Sequence, residues 1–128
     1  MKKKIFIIDD DQDLLRFYQV MLESNDFTVT TFSNSKYGFE KLMSEKPDLL
    51  ILDVMMSTDL DGYNTLHKIK ENPSLKDLPV IMLTGMIDSL GVNLISGVED
   101  DKLLPNVKFR NKPIEPNALV ELINEMIK

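Results

Sequence analysis

The sequence predicts an α/β fold, a doubly wound five-stranded parallel sheet. Short apolar runs rich in β-branched residues alternate with longer segments of helical period, which is the pattern of repeated strand-helix units. Three of the runs are apolar throughout, as strands are when helices cover both faces of their sheet. The 128 residues contain no internal repeat, low-complexity tract or Pro/Gly-rich linker, so one domain over 1–128 is expected.

Five runs are expected as strands: Ile5–Ile8, Phe27–Phe32, Leu49–Leu52, Val80–Leu83 and Val107–Phe109. The second alternates through Phe27, Val29 and Thr31, the period of a strand with one wet face, which puts it near an edge. Leu14, Leu15, Tyr18, Met21 and Leu22 form a helical stripe after the first strand. Leu119, Leu122, Ile123, Met126 and Ile127 form another, in a last helix expected to run to Lys128. Phe39, Leu42 and Met43 support a second helix and Leu66 and Ile69 a third, punctuated by Pro47, Pro73 and Pro79. Met86 to Pro105 fits worst: Gly91, Gly97 and the acidic trio Glu99, Asp100 and Asp101 predict a short or irregular helix and a long loop.

Composition removes several functions. With 21 acidic against 15 basic residues, the net charge of −6 argues against nucleic acid as a direct partner, since such affinity is built from Lys and Arg on phosphates. The absence of cysteine removes thiolate metal sites, thiol nucleophiles and disulfides. The basic start Met1–Lys4 is followed by a short apolar run that stops at Asp9, so no export signal is read. No window approaches the roughly 18 apolar residues of a membrane span. A cytoplasmic location without membrane insertion is expected.

Polar groups interrupt the apolar runs at their C-terminal ends. Asp9 and Asp10 follow the first strand, Asp53 the third and Thr84 the fourth, while Lys112 lies just beyond the fifth. In an open parallel sheet these ends share one edge, and ligands bind there where the strand order reverses. Three carboxylates held about 4 to 5 Å apart repel by roughly 3 to 4 kcal/mol per pair at an effective dielectric near 20. A cation must offset this, and with oxygen ligands alone it is a hard one, Mg²⁺ or Mn²⁺. The three negative charges are then cancelled by the ion and Lys112. Such a site suits a phosphoryl group, and a carboxylate is a competent nucleophile for it. Asp53 is assigned that role because it stands alone at the end of the central strand, whereas Asp9 and Asp10 form a metal-binding pair.

Other residues have plainer readings. Asp11 and Asp13 are expected as helix caps, His67 as a solvated side chain on the third helix, and most of the eight methionines as core filler. Lys102, Lys108, Arg110 and Lys112 form a basic patch whose members, Lys112 apart, are expected to be solvated.

Over its whole length the sequence resembles the receiver domains of two-component response regulators. The motifs are Ile7-Ile8-Asp9-Asp10-Asp11, Leu50-Ile51-Leu52-Asp53-Val54-Met55-Met56 with Gly62 following, Met82-Leu83-Thr84-Gly85 and Lys112-Pro113. The resemblance implies a flavodoxin-like fold with the strands in the order 2-1-3-4-5, and a stand-alone receiver with no output domain in this chain. Asp53 would accept a phosphoryl group from a sensor histidine kinase or a histidine phosphotransfer protein, giving an aspartyl phosphate. Asp9, Asp10, Asp53 and the backbone carbonyl of Met55 would surround Mg²⁺, directly or through water. Thr84 would bond a phosphoryl oxygen and move inward as a switch, and Lys112 would pair with another. The Lys112-Pro113 bond matches the family's cis peptide, and Phe109 its aromatic switch. An unknown downstream protein would read the result, with homodimerisation left open. Such a protein is no enzyme beyond its own phosphorylation and slow self-dephosphorylation. The apolar Met55 and Met86, each two residues past a site residue, predict that slowness by excluding water.

The sequence departs from the family pattern at Ser57, where proline is usual, in a loop to Gly62 that gains Asp59 and Asp61, and in extra length between Thr84 and Lys112. Competing readings are a small Mg²⁺-dependent phosphohydrolase with an aspartyl nucleophile, a flavodoxin-like nucleotide or flavin binder, and a non-phosphorylated scaffold receiver. The first commonly has a second Asp where Met55 stands, and the second needs a Gly-rich or Ser/Thr-rich phosphate loop that this sequence lacks.

Overall fold

The computed structural model of the chain describes residues 2–53, 61–84, 106–112 and 114–127. Five strands pair in parallel: β1 (Lys3–Ile8), β2 (Phe27–Phe32), β3 (Leu49–Asp53), β4 (Val80–Thr84) and β5 (Val107–Asn111). Their order is β2-β1-β3-β4-β5, as the resemblance implies. Most strands exceed their apolar runs by a residue or two, because backbone pairing continues past the first polar side chain. The helices among the described residues are α1 (Gln12–Glu23), α2 (Ser35–Ser44), α3 (Asp61–Glu71) and α4 (Pro116–Met126).

Successive side chains of a strand point to opposite faces, so the continuous apolar runs supply two cores at once. Phe6, Ile8, Leu50, Leu52, Val80 and Met82 join Leu42 of α2 and Leu66 and Ile69 of α3 on one side. Ile5, Ile7, Leu49, Ile51, Ile81 and Leu83 join Leu15 and Leu22 of α1 and Leu119 and Ile123 of α4 on the other. In the edge strand β2, Thr28 and Thr30 remain exposed, which accounts for its alternation. Gly38 brings α2 against the end of β1: a Cβ there would lie 2.5 Å from Ile8 Cδ1.

Side chains fix the helix starts. The Asp11 carboxylate accepts the backbone N–H groups of Asp13 and Leu14, Asn34 accepts that of Tyr37, and Glu115 accepts that of Ala118, with Pro116 opening α4. Three expectations change. Asp13 is no cap; it lies inside the first turn of α1, where its charge meets the positive end of the helix dipole. Met43 is 53% exposed rather than core, because Leu42 takes the inward direction, and the Met43 sulfur accepts the Asn72 side-chain N–H at 3.2 Å. The last helix ends at Met126, since Ile127 turns to φ −115 and ψ 22 and leaves the helical region. The stretch expected as an irregular helix and loop, Met86 to Pro105, lies outside the described residues. Among the described residues no helix is long and apolar enough to cross a membrane.

Candidate functional site

Parallel register assembles the site. Ile8 of β1 stands opposite Leu52 of β3, so the residues that follow, Asp9 and Asp53, reach the same level of the sheet. Asp53 stands opposite Leu83, and Thr84 opposite Asn111, so β4 and β5 end at that edge as well. β1 has β2 on one side and β3 on the other, which makes this edge the point where the chain's winding reverses.

Asp9 and Asp53 are 2% and 5% exposed, whereas Asp10 faces solvent. One carboxylate oxygen from each of the three lies within 4.8 Å of the others. The Lys112 ammonium enters between the two buried carboxylates, 2.9 Å from Asp9 Oδ2 and 3.1 Å from Asp53 Oδ1. Asp9 is held further: its Oδ1 accepts the Asp11 N–H at 2.9 Å, and its own N–H donates to the Phe32 carbonyl at 3.0 Å. Burial alone would lower the pKa of Lys112, but the hydrogen bond and charge of Asp9, with those of Asp53, outweigh it and raise the pKa above the ordinary lysine value. The ammonium therefore remains charged at neutral pH.

Three carboxylates and one ammonium leave this pocket with a charge of minus two. Its donors are all oxygens, and the geometry lets three of them converge. A hard divalent cation, Mg²⁺ or Mn²⁺, fits both the donor set and the charge.

The structure thus brings together Asp9, Asp10, Asp53 and Lys112 of the residues singled out in sequence. Thr84 ends β4 at the same edge, with its side chain outside the described part. Met55, Met86 and Pro113, and with Pro113 the Lys112-Pro113 bond, also lie outside the described residues. Phe109 is 2% exposed, in the core cluster that includes Leu66 and Ile69. His67 is exposed on α3. In the basic patch, Arg110 is exposed and donates to the Phe109 carbonyl, Lys108 is half-buried, and Lys102 is not described.

One side chain beside the site was missed in sequence. Tyr18 belongs to the apolar stripe of α1, yet its hydroxyl lies near the Asp9, Asp53 and Lys112 charges and faces the backbone N–H of Ile114. Burial raises its pKa, with the Ile114 N–H and Lys112 acting in the opposite sense. The available signal was a lone hydroxyl in a stripe of three leucines and one methionine.

Comparison with known proteins gives the family frame. Residues 5–124 match the model of the response regulator receiver domain. The chain is 32% identical over 130 residues to the alkaline phosphatase synthesis transcriptional regulatory protein PhoP of Bacillus subtilis, covering 96% of this chain and 49% of that protein. It is 31% identical over 123 residues to an uncharacterized 14.6 kDa protein of Leptolyngbya boryana, covering 94% of this chain and 87% of that one. The crystal structure of a response regulator receiver domain protein from Methanospirillum hungatei superposes at a TM-score of 0.81 with 25% identity, covering 99% and 94% of the two chains. The chain therefore spans about half the length of the Bacillus regulator.

Proposed function

Since this chain belongs to the family of response regulator receiver domains, we propose that it accepts a phosphoryl group on Asp53 and uses the added charge to switch a protein-binding surface. The observation that carries this reading is the convergence of Asp9, Asp10, Asp53 and Lys112 at one sheet edge, with two of the carboxylates buried and bridged by the ammonium. An Asp53 carboxylate oxygen attacks phosphorus, the bond from phosphorus to the donor nitrogen breaks with its electron pair left on that nitrogen, and the donor departs as a neutral imidazole that keeps the proton on its other ring nitrogen. The product is an acyl phosphate on Asp53.

Asp9, Asp10 and Asp53 would hold Mg²⁺ or Mn²⁺, with the Met55 carbonyl as a further ligand, and the ion would neutralise charge on the phosphoryl oxygens. The remaining work falls to the chain itself. Lys112 turns from Asp53 to a phosphoryl oxygen, Thr84 donates its hydroxyl to another, and Phe109 relays the shift to the surface. The donor is a sensor histidine kinase or a histidine phosphotransfer protein in the cytoplasm, and a downstream protein reads the switched face. Beyond its own phosphorylation and slow self-dephosphorylation, the chain turns over no substrate.

The test is labelling by acetyl phosphate with Mg²⁺, read by intact-protein mass spectrometry. The wild-type protein gains one phosphoryl group and Asp53→Asn gains none. Labelling that persists in Asp53→Asn moves the acceptor elsewhere and refutes the assignment.

A further inference from the structure

The Tyr18 side chain is 1% exposed, and its hydroxyl oxygen, shielded from solvent, has no hydrogen-bond partner among the described residues. It faces the Ile114 N–H without the geometry of a bond, and it lies near enough to Lys112, Asp9 and Asp53 to feel their charges. An orphaned buried hydroxyl is rare in a folded protein and calls for a reason. Phenylalanine would fill the same space without the desolvation penalty, so packing alone does not explain the oxygen.

The two sides of this near-contact are anchored differently. Tyr18 sits on α1, whose start is capped by Asp11 and whose stripe is buried through Leu15 and Leu22. Ile114 follows Lys112 by two positions, beyond the end of the edge strand β5. A shift of the backbone that carries Lys112 toward the phosphoryl group would move the Ile114 N–H with it.

We propose that Tyr18 is a positioning residue whose hydroxyl completes a hydrogen bond with the Ile114 N–H when Lys112 turns to the phosphoryl group. The phosphorylated arrangement then contains a bond that the resting one lacks. Only such a difference between states can bias their equilibrium. The inference rests on the reading of Asp53 as phosphoryl acceptor.

The experiment compares the wild-type protein with Tyr18→Phe, using beryllofluoride with Mg²⁺ as a phosphoryl mimic. Calorimetry gives the affinity, urea unfolding the resting stability, and amide hydrogen exchange the state of the Ile114 N–H. Tyr18→Phe is expected to unfold at the same or a higher urea concentration, yet to bind beryllofluoride about three- to tenfold more weakly. The Ile114 amide gains protection on binding in the wild-type protein and not in the variant. Equal affinity, equal protection, or a lower unfolding midpoint for the variant overturns the Tyr18 proposal alone. Failure of the wild-type protein to bind beryllofluoride overturns the reading of Asp53 and this proposal with it.

Discussion

Truncating Lys112 to alanine withdraws an ammonium that lies 2.9 Å from Asp9 and 3.1 Å from Asp53, whose side chains are 3% and 6% exposed. At an effective dielectric near 20, each attraction is worth about 5 to 6 kcal/mol before desolvation. Desolvation of the buried ions offsets most of that, and deleting one partner of such a pair costs about 3 to 5 kcal/mol. The Lys112 side chain is 21% exposed, so water can reach part of the gap and the lower end applies. A loss of about 3 kcal/mol, at a urea dependence of about 1.5 to 2 kcal/mol per molar, lowers the unfolding midpoint by about 1.5 to 2 M. The sign of the metal effect follows. The variant pocket carries three uncompensated negative charges instead of two, so Mg²⁺ raises its midpoint more than that of the wild type. The pH dependence is equally constrained. A lysine whose folded pKa is raised contributes stability that is complete below its unfolded value, near 10.5, and is lost as pH climbs through the folded one. The difference between the two proteins should therefore be constant near neutrality and shrink only in strong alkali. Urea midpoints that coincide at pH 7, or that rise equally with Mg²⁺, would refute the charge balance drawn here.

Asp10→Asn should weaken Mg²⁺ binding at least about tenfold by calorimetry, since even partners outside the ligand sphere cost 10- to 100-fold, while the urea midpoint of the metal-free protein rises because one of three like charges is gone. Gly38→Ala places a methyl against Ile8 Cδ1 and Cγ1, at 2.5 and 2.8 Å. Overpacking of about 1 to 3 kcal/mol outweighs a helix-propensity gain of up to about 1 kcal/mol, so a lower unfolding midpoint is expected. Asp11→Ala leaves the N–H groups of Asp13 and Leu14 uncapped and should cost about 1 kcal/mol in urea unfolding without abolishing acetyl phosphate labelling.

The sheet was legible because its signal is local: runs such as Leu49–Leu52 are apolar at every position, and only a strand covered on both faces needs that. The aspartates were legible because each breaks such a run at the same relative place, and parallel register turns equal places in sequence into one edge in space. Met43 was misread, and the place of the Tyr18 hydroxyl was missed, for the opposite reason. Both fit an apolar helical stripe, and the stripe cannot say which flank turns outward, as Met43 does, or where the polar end of an amphipathic side chain goes. Residue type also failed to separate Asp11 from Asp13: either can cap a helix, and only the backbone angles of Asp11, φ −87 and ψ 102, decide which one does.

Unequal anchoring decides which part of the site can respond to an added phosphoryl group. Asp9 follows β1, a strand paired on both sides, and its carboxylate and N–H are tied to Lys112, Asp11 and Phe32. Asp53 ends β3, which is likewise paired on both sides. Lys112 follows β5, which among the described residues pairs only with β4. New negative charge on Asp53 would attract Lys112 and repel Asp9 and Asp10, but the aspartates belong to the stiff centre of the sheet, whereas Lys112 and Phe109 belong to its edge. Displacement therefore concentrates in β5 and the residues after it. A hydrogen-bond partner waiting on a fixed helix, as Tyr18 waits beside Ile114, stabilises that displacement without a partner protein.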